Sequence, residues 1–407
     1  MQDTGKSGSF FHRKIQTFVG NYFYPRGNGD WYVKQGYGTE DRNPFNDFLY
    51  KKQQDPDSEY YEHFKTLTLK CRMLPSKLAN GDDCQIEVFD CKPNLKAAPK
   101  AGTGKHIVFF TGLNGYYQDY FVDIATACKE TGATMHAFNF PGASLSTGQV
   151  NEANDIVNAG ISLVHSLLKK GIHPDDIILQ GSSFGASVAL EVKLQYKEQC
   201  GIKLRTIMNN TFDSFKAAIS DHFNRQYWLP HFFSGVIKSI LQYTGWHMTP
   251  AKKYRHADPY QCHIQHLHDQ TIPTTNLSNK VAKYKAEIDT GETRSTKREP
   301  VTDNCPEEYK AARDHLDQIH MVQIRESARE YLAKKYGSEP SEVNSHYGDL
   351  CDLETINGNS VYEEFINYFL TQSDAYIEKN PQKAFCPEAT PYLLTGIEVL
   401  ETPSVKL

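Results

Sequence analysis

From residue 61 onward, apolar and polar positions along the chain follow two alternating periods. FKTLTLKC and CQIEVFDC repeat every second residue, which predicts short strands in a hairpin-like opening, followed by the polar linker KPNLKAAPKAGTGK. Beyond it, HIVFFTG from His106 is short and apolar enough for a buried strand, and YFVDIATACKETG from Tyr120 has helical spacing closed by Gly132. ATMHAFNF is the next strand and NEANDIVNAGISLVHSLLKKG the next helix, closed by Gly171. DIILQGSS, FGASVALEVKLQYKEQC and LRTIMNNTF continue as strand, helix and strand. Such repetition builds a mostly parallel sheet with helices on both faces, and functional groups then collect at the carboxyl ends of the strands.

Elsewhere the rhythm breaks. Residues 1–60 are rich in Gly, Asn, Asp, Tyr and Phe without a sustained period and predict irregular structure, whereas 61–218 carry the first part of the core. An aromatic helical stretch, HFNRQYWLPHFFSGVIKSILQYTGW, makes 219–258 a cap, and QCHIQHLHD restores a core strand within 259–275. Residues 276–336 read as a long polar helical insertion that includes the exposed loop TGETRSTKREPVTDN. The final core segment, 337–407, holds the last strand-and-helix signals, EVNSH and VYEEFINYFL.

Composition narrows the function classes. Hydrophobic residues make up 39% of the 407, and no uninterrupted apolar run approaches the roughly 20 residues that cross a bilayer. The amino terminus lacks the long apolar h-region of a Sec signal peptide. A net charge of -5 gives no electrostatic reason to expect nucleic acid as a partner. Nine scattered cysteines without a C-x-x-C pair predict free thiols in a reducing compartment, hence a cytoplasmic setting.

The stretch IILQGSSFGASVAL matches G-x-S-x-G at Gly181, Ser183 and Gly185, between a predicted strand and a predicted helix. There a sharp turn can lift a serine hydroxyl above the sheet while the glycines remove Cβ atoms that would clash. Ser183 is accordingly the candidate nucleophile. A hydroxyl is a poor nucleophile at neutral pH, so it needs a base and an orienting acid. HLHDQTIP offers Asp269 at a strand end and NNTFDSF offers Asp213 as a rival, while His346 stands in the loop NSHYGDL. His315 and His320 fall in DHLDQIHMVQIRESAREYL, which reads as a continuous helix and a poorer perch for a base. For the developing oxyanion, the backbone N–H of Phe184 follows the nucleophile, and the glycine loop FFTGLNGYYQDY offers Leu113, with Asn114 as a further donor.

Taken together, FFTGLNG, FNFPGASLSTG, GSSFG, NNTFDSF, HDQTIP and NSH resemble the α/β-hydrolase superfamily over roughly residues 85–370. The resemblance implies an α/β-hydrolase fold with a helical cap and a helical insertion before the histidine, and the chain order Ser183, Asp269, His346 for a catalytic triad. It further implies hydrolysis of carboxylic esters, with lipid or acyl esters as the expected substrates, without a cofactor or an obligate partner. Peptidase, thioesterase and non-catalytic binding proteins share the scaffold and stay open. Composition and amino terminus are also similar to the lipase-like (SidB-like) effectors that intracellular bacteria inject through type IV secretion, which adds a host cytosol as a destination.

Two other features carry weaker chemistry. Cys262, His266 and His268 in CHIQHLHD would share one strand face, but the metallohydrolase pattern H-x-H-x-D-H is not met, so no metal is expected. Phe232, Phe233, Val236, Ile237, Ile240 and Leu241 draw one apolar stripe on the cap, with the first four expected to contact an acyl chain. The same stripe would serve for peripheral membrane contact.

Overall fold

The computed structural model describes residues 10–23, 52–58, 60–94, 99–227, 231–254, 260–267, 269–272, 275–277, 280 and 318–382. The longer helices are α1 (Phe10–Phe23), α2 (Phe121–Thr131), α3 (Ala153–Lys169), α4 (Phe184–Cys200), α5 (Phe215–Tyr227), α6 (His231–Tyr243), α7 (Glu326–Tyr336) and α8 (Asn367–Lys379). The strands are β1 (Leu67–Lys77), β2 (Asp83–Pro93), β3 (His106–Phe110), β4 (Thr134–Phe138), β5 (Ile177–Ser182), β6 (Arg205–Asn209), β7 (Gln261–His266) and β8 (Gln318–Val322). They form one sheet in the order β1-β2-β4-β3-β5-β6-β7-β8.

β1 and β2 pair antiparallel, as the two alternating segments predict, and β2 joins β4 antiparallel. All the later neighbours are parallel. Side chains of successive strand residues go to opposite faces, so the sheet separates two cores. Val108, Phe110, Ile177 and Leu179 meet α3 and α4 on one face; Ile107, Phe109, Ile178 and Ile207 meet α2, α7 and α8 on the other. Continuous apolar strands such as HIVFF follow from burial on both sides.

This architecture is the α/β-hydrolase fold, and its topology locates a site. From β3 the chain moves outward to β4, then crosses back to β5 on the opposite side of β3. Ligands of open α/β sheets collect where the order reverses, at the carboxyl ends of the strands. Here that crevice lies between the loop after β3 and the turn after β5.

Three expectations change. Residues 10–23 form α1 rather than irregular structure: Ile15 and Val19, one helical turn apart, dock on the core, and a Cβ at Gly20 would lie 2.1 Å from the Val150 carbonyl oxygen. QIHMV, read as helix, is the edge strand β8, parallel to β7, because pairing with an existing strand outweighs a polar helical pattern. EVNSH is not a strand but two short 3-10 turns, Pro340–Glu342 and Ser345–Tyr347. Of the predicted helical insertion, 281–317 lie outside the described residues, and α7 occupies its last part.

Candidate active site

Ser183 follows β5 and precedes α4 with φ 51 and ψ -115, a left-handed backbone that a non-glycine residue adopts only when its surroundings hold it. Its N–H donates to the Asn209 carbonyl at 2.8 Å, and its own carbonyl accepts from the Thr211 hydroxyl at 2.9 Å. The flanking glycines are steric necessities. A Cβ at Gly181 would stand 2.4 Å from the Ala186 nitrogen, and one at Gly185 would stand 2.2 Å from the Phe110 oxygen and 2.3 Å from the Thr111 oxygen. All of these obstacles are backbone, which cannot swing aside.

His346 bridges the serine and an acid. Its Nε2 lies 3.0 Å from Ser183 Oγ, and its Nδ1 lies 3.0 Å from Asp269 Oδ2. Asp269, two residues beyond the turn that ends β7, accepts the backbone N–H groups of Thr271 (2.9 Å) and Ile272 (3.1 Å) on Oδ1. Gln265 Nε2 donates to Oδ2 at 3.2 Å. Burial pushes the Asp269 carboxyl up, but the hydrogen bond and charge of His346, followed by the two backbone N–H groups, outweigh it and hold the group below the ordinary carboxylate range. An ionised Asp269 then favours a proton on His346 Nδ1, leaving Nε2 to accept from the serine.

The rival acid is elsewhere. Asp213 makes a loose ion pair with Lys280 at 3.9 Å, its Oδ1 is buried without a hydrogen-bond partner, and burial raises its pKa. His320 sits on β8 with its ring against Phe365 at 4.3 Å, away from the serine, and His315 lies outside the described residues.

Residues to which the sequence assigned no part in the triad hold this arrangement. Asn344 Oδ1 accepts from the N–H of His346 (3.1 Å) and of Gln270 (3.0 Å), and its Nδ2 donates to Thr271 Oγ1 at 2.8 Å. One side chain thereby ties the acid's loop to the histidine's turn. Beneath them, His266 Nδ1 donates to the Ser345 carbonyl at 2.7 Å, while its backbone N–H donates to Asn210 Oδ1 at 3.0 Å. Burial lowers the His266 pKa to about 4, so the ring is neutral at ordinary pH. The Asn-x-His spacing at 344–346 is a recognisable Asx turn; the His266 contact joins positions 79 apart and leaves no local signal.

A cavity of about 430 Å³ opens over Ser183 and His346. Gly112, Leu113 and Asn114 form one rim, and a Cβ at Gly112 would come within 4.0 Å of Ser183 Cβ. The loop is braced by Thr111 Oγ1 donating to the Gly115 carbonyl at 3.1 Å, and Asn114 takes a left-handed φ of 59. Phe184 lines the cavity as the first residue of α4.

The apolar wall differs from the one expected. Phe212, Phe215, Ala218, Ile219 and Phe223 line the cavity, so α5 rather than α6 covers the serine. Phe184, Phe212 and Phe215 pack ring to ring, with Trp246 behind Phe184 and Phe215. On α6, Ile237 packs toward the core while Val236 is 46% exposed, and neither lines the cavity. The six-residue stripe is broader than the strip a single packed neighbour covers, so one edge turns inward and the other faces solvent. The side chains of Phe232 and Phe233 lie outside the described residues. Of the three residues expected to share one strand face in CHIQHLHD, Cys262 and His266 are buried and His266 is bound to Ser345; His268 lies outside the described residues.

Residues 341–397, which include His346 and α8, match the model of the SdbC C-terminal domain. Among solved structures, an alpha-beta hydrolase from Vibrio vulnificus is similar at 15% identity and a TM-score of 0.45, over 68% of this chain and 82% of that one. The Pyrococcus furiosus esterase Pf2001 is similar at 12% identity and a TM-score of 0.39 over 66% and 85% of the two chains. A hyperthermophilic esterase from Pyrobaculum calidifontis gives 13%, 0.38, 70% and 87%. No curated protein matches the chain. On its own strand order and on the serine turn at the end of β5, the chain has the α/β-hydrolase fold, with a carboxyl-terminal part similar to the SdbC C-terminal domain.

Proposed function

We propose that the protein is a serine hydrolase of carboxylic esters, with Ser183 as nucleophile, His346 as general base and acid, and Asp269 as the group that orients the imidazole. The observation that carries this reading is the pair of 3.0 Å hydrogen bonds linking Ser183, His346 and Asp269 across three separate segments. Ser183 Oγ bonds to the substrate carbonyl carbon as His346 Nε2 takes its proton. The carbonyl oxygen becomes an oxyanion beside the N–H groups of Phe184 and Leu113, donors of a kind worth about 2.7–4 kcal/mol each. Collapse breaks the bond to the alcohol oxygen, which receives the proton from His346. Water, deprotonated by the same histidine, then releases the acid and restores the serine.

The aromatic wall of α5 supports a long or bulky acyl group, and Asn114 at the rim supports a polar contact near the carbonyl. Val236 (46%), Ile240 (41%) and Tyr243 (51%) are exposed on α6 and support peripheral contact of the cap with a lipid surface. Among the described residues, no helix is long and apolar enough to cross a membrane. The likeness to the SdbC C-terminal domain agrees with the resemblance to injected lipase-like effectors. The test is turnover of nitrophenyl esters by the native chain and by Ser183→Ala: hydrolysis that disappears with the hydroxyl supports the reading, and hydrolysis that persists overturns it.

A further inference from the structure

The cavity over Ser183 has two unlike walls. One is the aromatic and aliphatic wall of α5 together with Phe184 and Phe212; Phe184, Phe212 and Phe215 belong to the core on the α3/α4 face of the sheet. The other is made by Tyr120, Gly348 and Asp349, whose neighbours Phe121 and Leu350 belong to the core on the opposite face. Asp349 is the sole carboxylate among the residues lining the cavity; the other titratable ones are Tyr120, His222 and His346.

The carboxylate is not neutralised by the fold. Its hydrogen bond is from the Cys351 backbone N–H at 3.1 Å, and among the described residues it makes no ion pair. The nearby Lys335 ammonium is already engaged, 2.6 Å from Asp352 and 3.9 Å from Asp123. Burial first, then Asp352, raises the Asp349 carboxyl to about 6, against the Cys351 N–H and Lys335. Burial likewise raises the Tyr120 phenol, which stays protonated and presents a neutral ring.

His346 fixes which wall meets which part of the substrate. Its Nε2 must reach the alcohol oxygen to protonate it, so the alcohol leaves on the side of the His346 turn, where Gly348 and Asp349 follow two and three residues later. The acyl group is left with the apolar wall. We propose that Tyr120 and Asp349 form a leaving-group subsite for a cationic alcohol, and that Asp349 makes the enzyme select esters of a quaternary ammonium alcohol over neutral ones. An ammonium beside an unpaired carboxylate and over an aromatic face gains charge attraction and a cation–π contact, neither of which a neutral isostere receives.

This inference rests on Ser183 as the nucleophile, and its test separates the two. Choline and dimethylbutyl esters of the same fatty acid differ only in nitrogen against carbon. The native chain is expected to favour the choline ester by about tenfold in kcat/KM, and Asp349→Asn, which keeps the acceptor for Cys351, is expected to bring the ratio close to one. A native ratio near one, or an equal loss on both esters in Asp349→Asn, overturns the subsite and leaves the hydrolase reading intact. Binding of the two intact esters to Ser183→Ala by calorimetry reads the same preference without turnover. Tighter binding of the cation there, lost in Ser183→Ala/Asp349→Asn, upholds the subsite even if the native chain proves inert; equal binding overturns it. Should Asp349→Asn fail to fold, the native preference must shrink as salt is raised, and a preference indifferent to salt overturns the role of the carboxylate.

Discussion

Replacing Asp269 by Asn removes one charge and, through the geometry of the loop, reverses a proton. Oδ1 accepts two backbone N–H groups, from Thr271 and Ile272, so the amide oxygen of the asparagine is held in that place. The NH2 group must then take the Oδ2 position, 3.0 Å from His346 Nδ1, where it donates instead of accepting. Gln265 can turn its amide to accept from the new NH2, since its Oε1 is buried and unpartnered. The lone pair of Nδ1 is thereby engaged, the ring proton moves to Nε2, and Nε2 points a donor at Ser183 Oγ. A base in the wrong tautomer costs comparable triads about 10⁴ in kcat, or about 5.4 kcal/mol of transition-state stabilisation. Folding should change by only about 1–2 kcal/mol, because all four contacts are rebuilt and only the charge is lost.

The assay pairs nitrophenyl ester hydrolysis with urea unfolding at pH 7, and repeats the unfolding down to pH 3. The native carboxyl titrates lower folded than unfolded, so its stabilisation is present above the unfolded value of about 3.9 and is lost as pH falls through the folded one. Asp269→Asn should lack that part of the acid loss. A variant that keeps more than a tenth of native kcat, with Asp213→Asn the more damaged of the two, would refute the assignment of the acid.

Three further outcomes follow from the same contacts. Gly185→Ala must displace the backbone of Phe110 and Thr111, so it should destabilise the chain by about 2–4 kcal/mol and cut kcat through the displaced loop, measured by urea unfolding and ester turnover. Chain-length preference should rise at up to about 0.8 kcal/mol per methylene until the apolar wall is filled; Ile219→Trp should shorten the optimum without touching acetate hydrolysis, while Val236→Ser should leave the profile unchanged. Val236→Ser/Ile240→Ser should weaken sedimentation with phosphatidylglycerol vesicles while leaving turnover of a soluble short-chain ester at the native level.

What the sequence made legible was local. GSSFG between an apolar run and a small-residue helix is a turn whose steric demands are written within five residues, and the capping glycines Gly132 and Gly171 do take positive φ, 76 and 83. The hairpin of β1 and β2 and the βα alternation were equally readable from period. Edge strand β8 was not, because its stability comes from pairing with β7 rather than from the alternation of QIHMV. Nor was α1, since the aromatic and polar residues around Ile15 and Val19 mask a stripe only two residues wide. The cavity wall shows the same limit: the sequence displayed an apolar stripe on α6, but which of two successive cap helices faces the serine depends on packing between α5, Trp246 and the elbow. Tyr120 and Asp349 carry no motif at all and become a site only when the fold brings their turns to one rim.

The most direct measurement of the central claim is intact-mass analysis after exposure to a fluorophosphonate, which bonds a serine oxygen only where a neighbouring base can take its proton. The native chain should gain one adduct, mapped by fragmentation to Ser183, and His346→Ala should gain it far more slowly while keeping its unfolding midpoint. An adduct that survives Ser183→Ala, or a native chain that stays unlabelled at neutral pH, would contradict the account.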